Sequence, residues 1–244
     1  MSNTTIIQYG IGKDYLKDWG INEALREIYQ NFIDYGPYII DIISEDNDRT
    51  HAIIKNVYVP EDLEFLQIGK SIKKNKEAIG QHGEGLKMAM LIFLRLGYRI
   101  TIHTTTKIII PIWTKQKHIG ETFALEVTDI KPTHIEEEFS ISMYLPTEEF
   151  KSFNDNIIRV DDIIFNAPNH GSIVNKEQGN LYSGDLFICK LENLKQAYNL
   201  NPSVLKLDRD RRVPGSFETS YHTSKIVEAQ AEINFIDQDY DDHK

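Results

Sequence analysis

Three polar side chains in one short stretch of sequence, Glu27, Asn31 and Asp34, are the first candidates for chemistry. The stretch reads ALREIYQNFIDYGP, and a helix through it brings the three onto one side, since successive residues turn by about 100°. A carboxylate, an amide and a second carboxylate at this spacing can supply a base, a metal ligand and a third polar contact to one ligand. A solvent-exposed helix face explains the same spacing, so this stretch alone leaves both interpretations open.

A second candidate is the sequence IGQHGEGLK, in which Gly80, Gly83 and Gly85 precede a predicted helix and Lys87 falls in its first turn. Glycine lets the backbone approach a ligand closely, and a helix N-terminus offers N–H groups and partial positive charge to an anion. The sequence is not a Walker A motif, and no parallel strand precedes it as a dinucleotide-binding fold requires. A structural turn into a helix would use the same glycines, so two interpretations stay open here as well.

The elements that position these residues follow from apolar spacing and turn residues. The first helix is expected to have Asn22 as its N-cap and to stop at Gly36-Pro37. Two strands, YIIDII and THAIIKN, come next, and a lysine-rich charged loop lies within residues 57–82. A second helix is predicted over Gly83–Leu96, followed by the strand-like runs YRITIHT, KIIIPIW, TFALEVTDI and EFSISMYL. Three weaker strand regions are predicted over Ile157–Phe165, Gly171–Val174 and Asn180–Cys189. A last helix is predicted over Thr219–Ile233.

This order of a helix, a strand pair, a loop, a helix and a run of strands predicts an α+β fold. We expect a two-layer sandwich, with the helices on one face of a mostly antiparallel sheet. No repeat or low-complexity linker divides the sequence, so one domain with a C-terminal extension is predicted over residues 1–235. Residues 236–244 are acidic and are expected to form a disordered tail.

Composition narrows the classes of function. The chain has 244 residues and a formal net charge of −10, which disfavours direct, non-specific binding to nucleic acid. Its longest apolar run, Met88–Leu94, is too short to span a bilayer. The N-terminus does not resemble a secretory signal, and the single cysteine, Cys189, has no partner for an internal disulfide. We therefore expect a cytoplasmic protein that does not act in a membrane.

Taken together, the two motifs resemble those of a known superfamily. REIYQNFID follows the pattern E-x-x-x-N-x-x-D, and IGQHGEGLK follows G-x-H-G-x-G-L-K. This combination resembles the GHKL ATPases, which include gyrase, the heat-shock chaperone, histidine kinases and the mismatch-repair MutL proteins and share the Bergerat fold. The resemblance covers residues 15–145. The sequence around the two motifs is similar to that of small ATP-binding proteins of this superfamily in phages and bacteria. If the chain is phage-encoded, this similarity implies that the protein is located in the host cytoplasm.

The resemblance implies a role for each residue of the two motifs. Glu27 would be the general base that orients the attacking water, Asn31 would hold the Mg²⁺ that bridges the phosphates, and Asp34 would support the site through polar contacts. The second motif would line the phosphates and meet the ligand through Gly80, His82, Gly83, Gly85 and Lys87. A base beside a metal-held triphosphate, with N–H donors to stabilise developing charge, is sufficient for phosphoryl transfer to water.

The chain departs from the superfamily in its adenine-binding box, which is normally D-x-G-x-G at the end of the second strand. The corresponding segment is IIKNVYVPEDL, and Asn56 is the polar residue placed to match the aspartate. An asparagine carbonyl accepts a hydrogen bond from the adenine amino group, without the strength of a charged acceptor. The alternative is that Asn56 only ends a strand.

Two basic segments are candidates for further phosphate contacts. GKSIKKNKEAIG would be the ATP lid, and LKLDRDRRVPG contains the cluster Arg209–Arg212. A solvated loop explains the first equally well, and an ion-paired structural loop explains the second.

These patterns predict a Mg²⁺-dependent ATP-binding protein that slowly hydrolyses ATP to ADP and phosphate and uses the nucleotide to switch a lid or a dimer. The alternative is a module that keeps the fold, has lost hydrolysis and acts on a partner protein. Both a homodimer and an unidentified protein partner are compatible with the sequence. At 244 residues the chain is too short for a complete gyrase, chaperone or histidine kinase.

Overall fold

A computed structural model of the chain describes residues 3–46, 48–56, 84–117, 120–131, 139–205, 207 and 216–241. It contains helices and two mostly antiparallel sheets, which confirms the predicted α+β class. Contacts divide the chain into two compact units, Met1–Asn154 and Asp155–Lys244, each with its own sheet and buried side chains. No change in composition marks this boundary in the sequence, and for that reason the sequence predicts one domain over residues 1–235.

Helix α1 spans Ile21–Tyr35 and confirms the first predicted helix. It begins earlier than the sequence predicts, because Gly20 and not Asn22 is the N-cap. The Glu23 carboxylate accepts a hydrogen bond from the Gly20 N–H at 2.8 Å, so the capping group comes from inside the first turn. The helix ends at Gly36, whose φ of 119° is a conformation that glycine adopts readily.

The first unit contains a seven-stranded antiparallel sheet. Its strands are β1 (Thr4–Gly12), β2 (Ile39–Glu45), β3 (Arg49–Asn56), β4 (Arg99–His103), β5 (Lys107–Gln116), β6 (Gly120–Asp129) and β7 (Phe139–Pro146). Their order across the sheet is β1-β6-β5-β4-β7-β3-β2, so β1 and β2 are its edge strands. The predicted strand pair is the hairpin of β2 and β3, and the Asp46 carboxylate stabilises its turn by accepting hydrogen bonds from the N–H groups of Asp48 and Arg49.

Two further helices belong to this unit. Helix α2 spans Gly85–Leu96, close to the predicted Gly83–Leu96, and ends at Gly97 with a positive φ of 73°. Helix α3 spans Thr147–Asp155 directly after β7. The sequence does not predict α3, because nine residues are too few to display a clear apolar repeat.

The buried face of the seven-stranded sheet is the side on which α1 and α2 pack. These helices contact each other and also contact β3, β4 and β5. Ile54 of β3 lies opposite Ile141 of β7, which in turn lies opposite Ile102 of β4, and all three are buried. Asn56 ends β3 two residues after Ile54, so it lies on this same face, because alternate strand residues share a side.

The second unit contains a five-stranded sheet and helix α4 (Ser216–Asp241). Its strands are β8 (Ile163–Ala167), β9 (Gly171–Val174), β10 (Asn180–Ser183), β11 (Leu186–Lys190) and β12 (Ala197–Leu200). The order is β11-β10-β12-β9-β8, and the pair of β10 with β12 is parallel. Leu181, Tyr198 and Ile226 are among the side chains of its core.

The predicted strands of this unit are confirmed in part. Gly171–Val174 is a strand with the predicted bounds. The region Asn180–Cys189 holds two strands, because a turn at Gly184-Asp185 divides it. In the region Ile157–Phe165 the strand begins only at Ile163, after a short 3-10 helix.

Helix α4 is longer than the sequence predicts. It continues from Ser216 to Asp241, past Ile233 and into the residues predicted to be a disordered tail. No glycine or proline follows Gly215, so no local signal stops the helix earlier. Neither α4 nor any other helix in the described ranges is long and apolar enough to cross a membrane.

Candidate functional site

Glu27 of α1 and Gly85 of α2, one from each predicted motif, lie in direct contact. A Cβ atom added to Gly85 would lie 2.0 Å from Oε2 of Glu27 and 3.0 Å from its Cδ. Because heavy atoms do not approach this closely, any side chain at position 85 would displace the carboxylate. Helix α2 therefore begins beside the carboxylate that the resemblance assigns as the base.

The N-terminus of α2 contributes positive potential to this contact. Met88 donates to the Glu84 carbonyl at 3.0 Å, the first hydrogen bond of the helical pattern. The helix N–H groups before Met88 have no acceptor within the helix, and the aligned peptide dipoles add partial positive charge at this end. Phosphate oxygens are the type of acceptor that such a terminus binds.

Lys87 places a buried cation in the first turn of α2. Its side chain is only 1% exposed. Burial lowers the pKa of the Lys87 ammonium to about 8, while the Glu84 carboxylate acts in the opposite direction by favouring the charged form. The side chain adds positive charge to the same end of the helix, at a cost in desolvation.

Asn31, one turn after Glu27, has the chemistry of a Mg²⁺ ligand. Its Nδ2 donates a hydrogen bond to the Glu27 carbonyl at 2.6 Å, which holds the amide in place. Magnesium takes oxygen ligands and is held by few protein groups together with phosphate oxygens and water, so Asn31 fits the predicted ion. Asp34, further along α1, is half-buried. In the described ranges no three His, Cys, Asp or Glu side chains are grouped to hold a metal.

Asn56 combines burial with an unused acceptor. It is 8% exposed, and no described residue donates a hydrogen bond to its Oδ1. It lies opposite Phe139 in the β3–β7 pair, and the Phe139 ring centroid is 5.7 Å from that of Phe32 on α1. Because an unsatisfied buried acceptor costs free energy, this oxygen is suited to receive a ligand's N–H group.

Two residues beside Glu27 escape prediction from the sequence. Arg26 is 13% exposed, and its Nη2 lies 3.7 Å from Oε1 of Glu27, with the guanidinium over the Trp19 ring at 5.7 Å. Gln30 is 3% exposed. Within the described part of the chain, Arg26 Nε and Nη2 and Gln30 Oε1 make no hydrogen bond. The one available sequence signal is their helical spacing, since Gln30 follows Arg26 by four residues and Glu27 by three.

The remaining predicted site residues lie outside the described residues. They are Gly80, His82 and Gly83 of the second motif, the predicted lid within residues 57–83, and the cluster Arg209–Arg212. The structure thus brings Glu27 and Gly85 into contact, and it places Asn31 on α1 with Glu27 and Asn56 at the end of β3, a strand that α1 contacts. Comparison of the chain with protein-family models and with curated protein sequences finds no match.

Proposed function

We propose that the chain binds ATP with Mg²⁺ and hydrolyses it slowly, and that its first unit is a Bergerat fold. The observation that carries this proposal is the contact between the Glu27 carboxylate and Gly85. The two motifs on which the resemblance rests are separated in sequence by a strand pair and a long segment. Motifs that matched by chance would have no reason to meet in space.

The arrangement of the first unit supports the same proposal. Helices α1 and α2 pack together on the buried side of an antiparallel sheet, and Glu27 and Gly85 lie where the two helices meet. Asn56, expected to face the adenine, ends β3 on that same side. A nucleotide bound here would have its adenine near Asn56 and its phosphates near the start of α2.

The proposed roles of Glu27, the start of α2, Asn31 and Asn56 suit the chemistry of these groups. Glu27 accepts a proton from the attacking water, and the N–H groups at the start of α2 donate to phosphate oxygens, where negative charge accumulates. Asn31 Oδ1 would hold Mg²⁺, which when bound neutralises phosphate charge. Asn56 Oδ1 accepts a hydrogen bond from the adenine amino group.

A module that binds a partner protein without hydrolysing ATP is the second candidate. The edge strand β2 favours it, because Ile39, Ile42 and Ile43 are each more than half exposed. An exposed apolar edge strand is a surface onto which another chain can add a strand. A homodimer through this edge is one form of the same candidate.

Phosphate release from ATP and Mg²⁺ tests the proposal with three proteins: wild type, Glu27→Gln and Glu148→Gln. Glu27→Gln keeps the size of the side chain and removes the base, so we expect turnover to fall by about 10²–10⁴ while ATP still binds. Glu148, an exposed carboxylate at the start of α3, is the matched control and should leave the rate unchanged. Equal rates for all three would contradict the proposal, and ATP binding without turnover would favour the second candidate.

A further inference from the structure

The unsatisfied polar atoms beside Glu27 form a group on one side of α1. Arg26 contributes two donor nitrogens, Nε and Nη2, and Gln30 contributes one carbonyl acceptor, all buried and without hydrogen bonds to described residues. Burying such groups without hydrogen bonds costs free energy, even though the Arg26 guanidinium is ion-paired with Glu27. Donors and an acceptor left unsatisfied one turn apart are a combination that a small hydrogen-bonding molecule can satisfy.

The distance between Arg26 and Glu27 indicates which molecule. At 3.7 Å, Nη2 of Arg26 and Oε1 of Glu27 are too far apart for a direct hydrogen bond and close enough for one water to bond to both. A water in this position would accept from the Arg26 N–H and donate to the Glu27 carboxylate.

Gln30 supplies the remaining acceptor. Residues three and four positions apart on a helix are neighbours, so Gln30 adjoins both Glu27 and Arg26. A water donates two hydrogen bonds, and with Glu27 accepting one, Oε1 of Gln30, which accepts none from a described residue, accepts the other. One lone pair of the water then receives the Arg26 N–H, and the second lone pair is available to attack.

We propose that Arg26 and Gln30 are positioning residues that hold, together with Glu27, the water that attacks the terminal phosphate of ATP. This inference rests on the proposed function. In the step itself the water oxygen bonds to the γ-phosphorus and its proton passes to the Glu27 carboxylate. The bond from the γ-phosphorus to the β,γ-bridging oxygen breaks, and ADP leaves with the electron pair.

Two substitutions at Gln30 test this role. Gln30→Met keeps the size of the side chain and removes the acceptor, so we expect kcat to fall by about 10- to 100-fold. The KM for ATP and the rise in melting temperature with Mg²⁺ and ATP should stay at wild-type values, because a held water does not bind the ground-state nucleotide. Gln30→Glu retains an acceptor oxygen and should recover part of the lost kcat.

Arg26 provides an independent measurement and Thr50 a control. Arg26→Met should lower kcat with KM unchanged, and Arg26→Lys, which keeps a donor, should lower it less. Thr50→Val removes a buried hydroxyl that bonds to Thr147 at 3.0 Å in the same unit. It should lower the melting temperature without a selective loss of kcat.

The outcomes separate this inference from the proposed function. Wild-type kcat in both Gln30→Met and Arg26→Met would overturn the positioning role while Glu27-dependent hydrolysis stands. A joint loss of kcat, nucleotide binding and melting temperature, with no recovery in Gln30→Glu or Arg26→Lys, would assign both residues to folding alone. A wild-type protein without Glu27-dependent hydrolysis would overturn the proposed function and this inference with it.

Discussion

The two oxygens of the Glu27 carboxylate have different neighbours. Oε1 is 3.7 Å from the Arg26 guanidinium, and Oε2 lies against the backbone of Gly85. A base must be held in place to be efficient, because a displacement of about 1 Å can cost a hundredfold in rate. Changes at Gly85 should therefore act on Glu27 directly.

Gly85→Ala should abolish most hydrolysis with little effect on stability. The added methyl group overlaps Oε2 of Glu27, which is the end of a flexible side chain and will rotate away. Alanine is favoured over glycine in a helix by about 1 kcal/mol, which offsets part of the overpacking cost. We expect turnover to fall by about a hundredfold, measured as phosphate release, with the free energy of unfolding within about 1 kcal/mol of wild type.

Gly12→Ala is the control for this substitution, because no atom lies within 4 Å of a Cβ added there. It should hydrolyse ATP as wild type does. A Gly85→Ala protein with full activity would show that the carboxylate need not remain where the structure places it.

Asn56 determines the expected nucleotide specificity. Asn56→Ala leaves the adenine amino group unpaired, so ATP affinity should fall by up to about a hundredfold, or 1–3 kcal/mol. Asn56→Asp should keep or strengthen binding, since a charged acceptor makes the stronger hydrogen bond. GTP should bind more weakly than ATP to wild type and to Asn56→Asp, because guanine has a carbonyl where adenine has the amino group.

Calorimetric titration of ATP and GTP into the three proteins measures these differences. Asn166→Ala, which changes an exposed asparagine of the second unit, is the matched control and should bind as wild type does. If Asn56→Ala binds ATP as tightly as wild type, the adenine is recognised elsewhere or not at all.

At the scale of elements, helix α2 carries a buried charge, since the Lys87 side chain is only 1% exposed. The residues that follow Lys87, from Met88 to Phe93, are all buried, so the ammonium enters the folded state without full hydration. This lowers the pKa of Lys87 to about 8 from its ordinary 10.5. The helix therefore couples its own stability to pH.

The contribution of Lys87 to stability should rise with pH between about 8 and 10.5. Below this window Lys87 is charged in both states, and the folded protein bears the net cost of burying that charge. Within it the unfolded state binds the proton that the folded state lacks, so raising the pH favours folding. Lys87→Met should be more stable than wild type at pH 7, by on the order of 3 kcal/mol, and the difference should vanish near pH 10.5.

Urea unfolding of wild type and Lys87→Met at a series of pH values checks this. The difference between their free energies of unfolding removes the contribution of the titratable groups that both proteins share. The reverse sign, with wild type more stable at pH 7 in the absence of nucleotide, would mean that partners of Lys87 outweigh its desolvation.

At the scale of the whole molecule, a ligand should stabilise the unit that binds it. Mg²⁺ and ATP at about 100 times Kd should raise the free energy of unfolding by roughly 2.7 kcal/mol, seen as a higher melting temperature. Amide hydrogen exchange should slow in α1 and α2, which carry residues of the proposed site. Asn31→Ala should remove most of the Mg²⁺ dependence, because its amide oxygen is the proposed protein ligand of the ion.

The same titration without Mg²⁺, and with GTP in place of ATP, provides the comparison. No change in melting temperature with millimolar ATP, ADP or GTP would contradict nucleotide binding itself. Protection confined to the strands of the second unit would place the ligand elsewhere.

The sequence by itself determines the local parts of this protein. The end of α1 at Gly36, the end of α2 at Gly97 and the alternation of β3 all follow from spacing and turn residues, because helix and strand periods act over a few neighbouring residues. The same periods place Glu27, Asn31 and Asp34 along one side of α1. The α+β class follows from the order of these elements.

Only the tertiary structure decides which residues from distant parts of the sequence come into contact. The contact of Glu27 with Gly85, the burial of Lys87 and the lack of a hydrogen bond from any described residue to Asn56 Oδ1 each depend on segments distant in sequence. The division into two units is equally invisible in the composition around Asn154. Burial and close approach are properties of packing between elements, and no period along the chain encodes them.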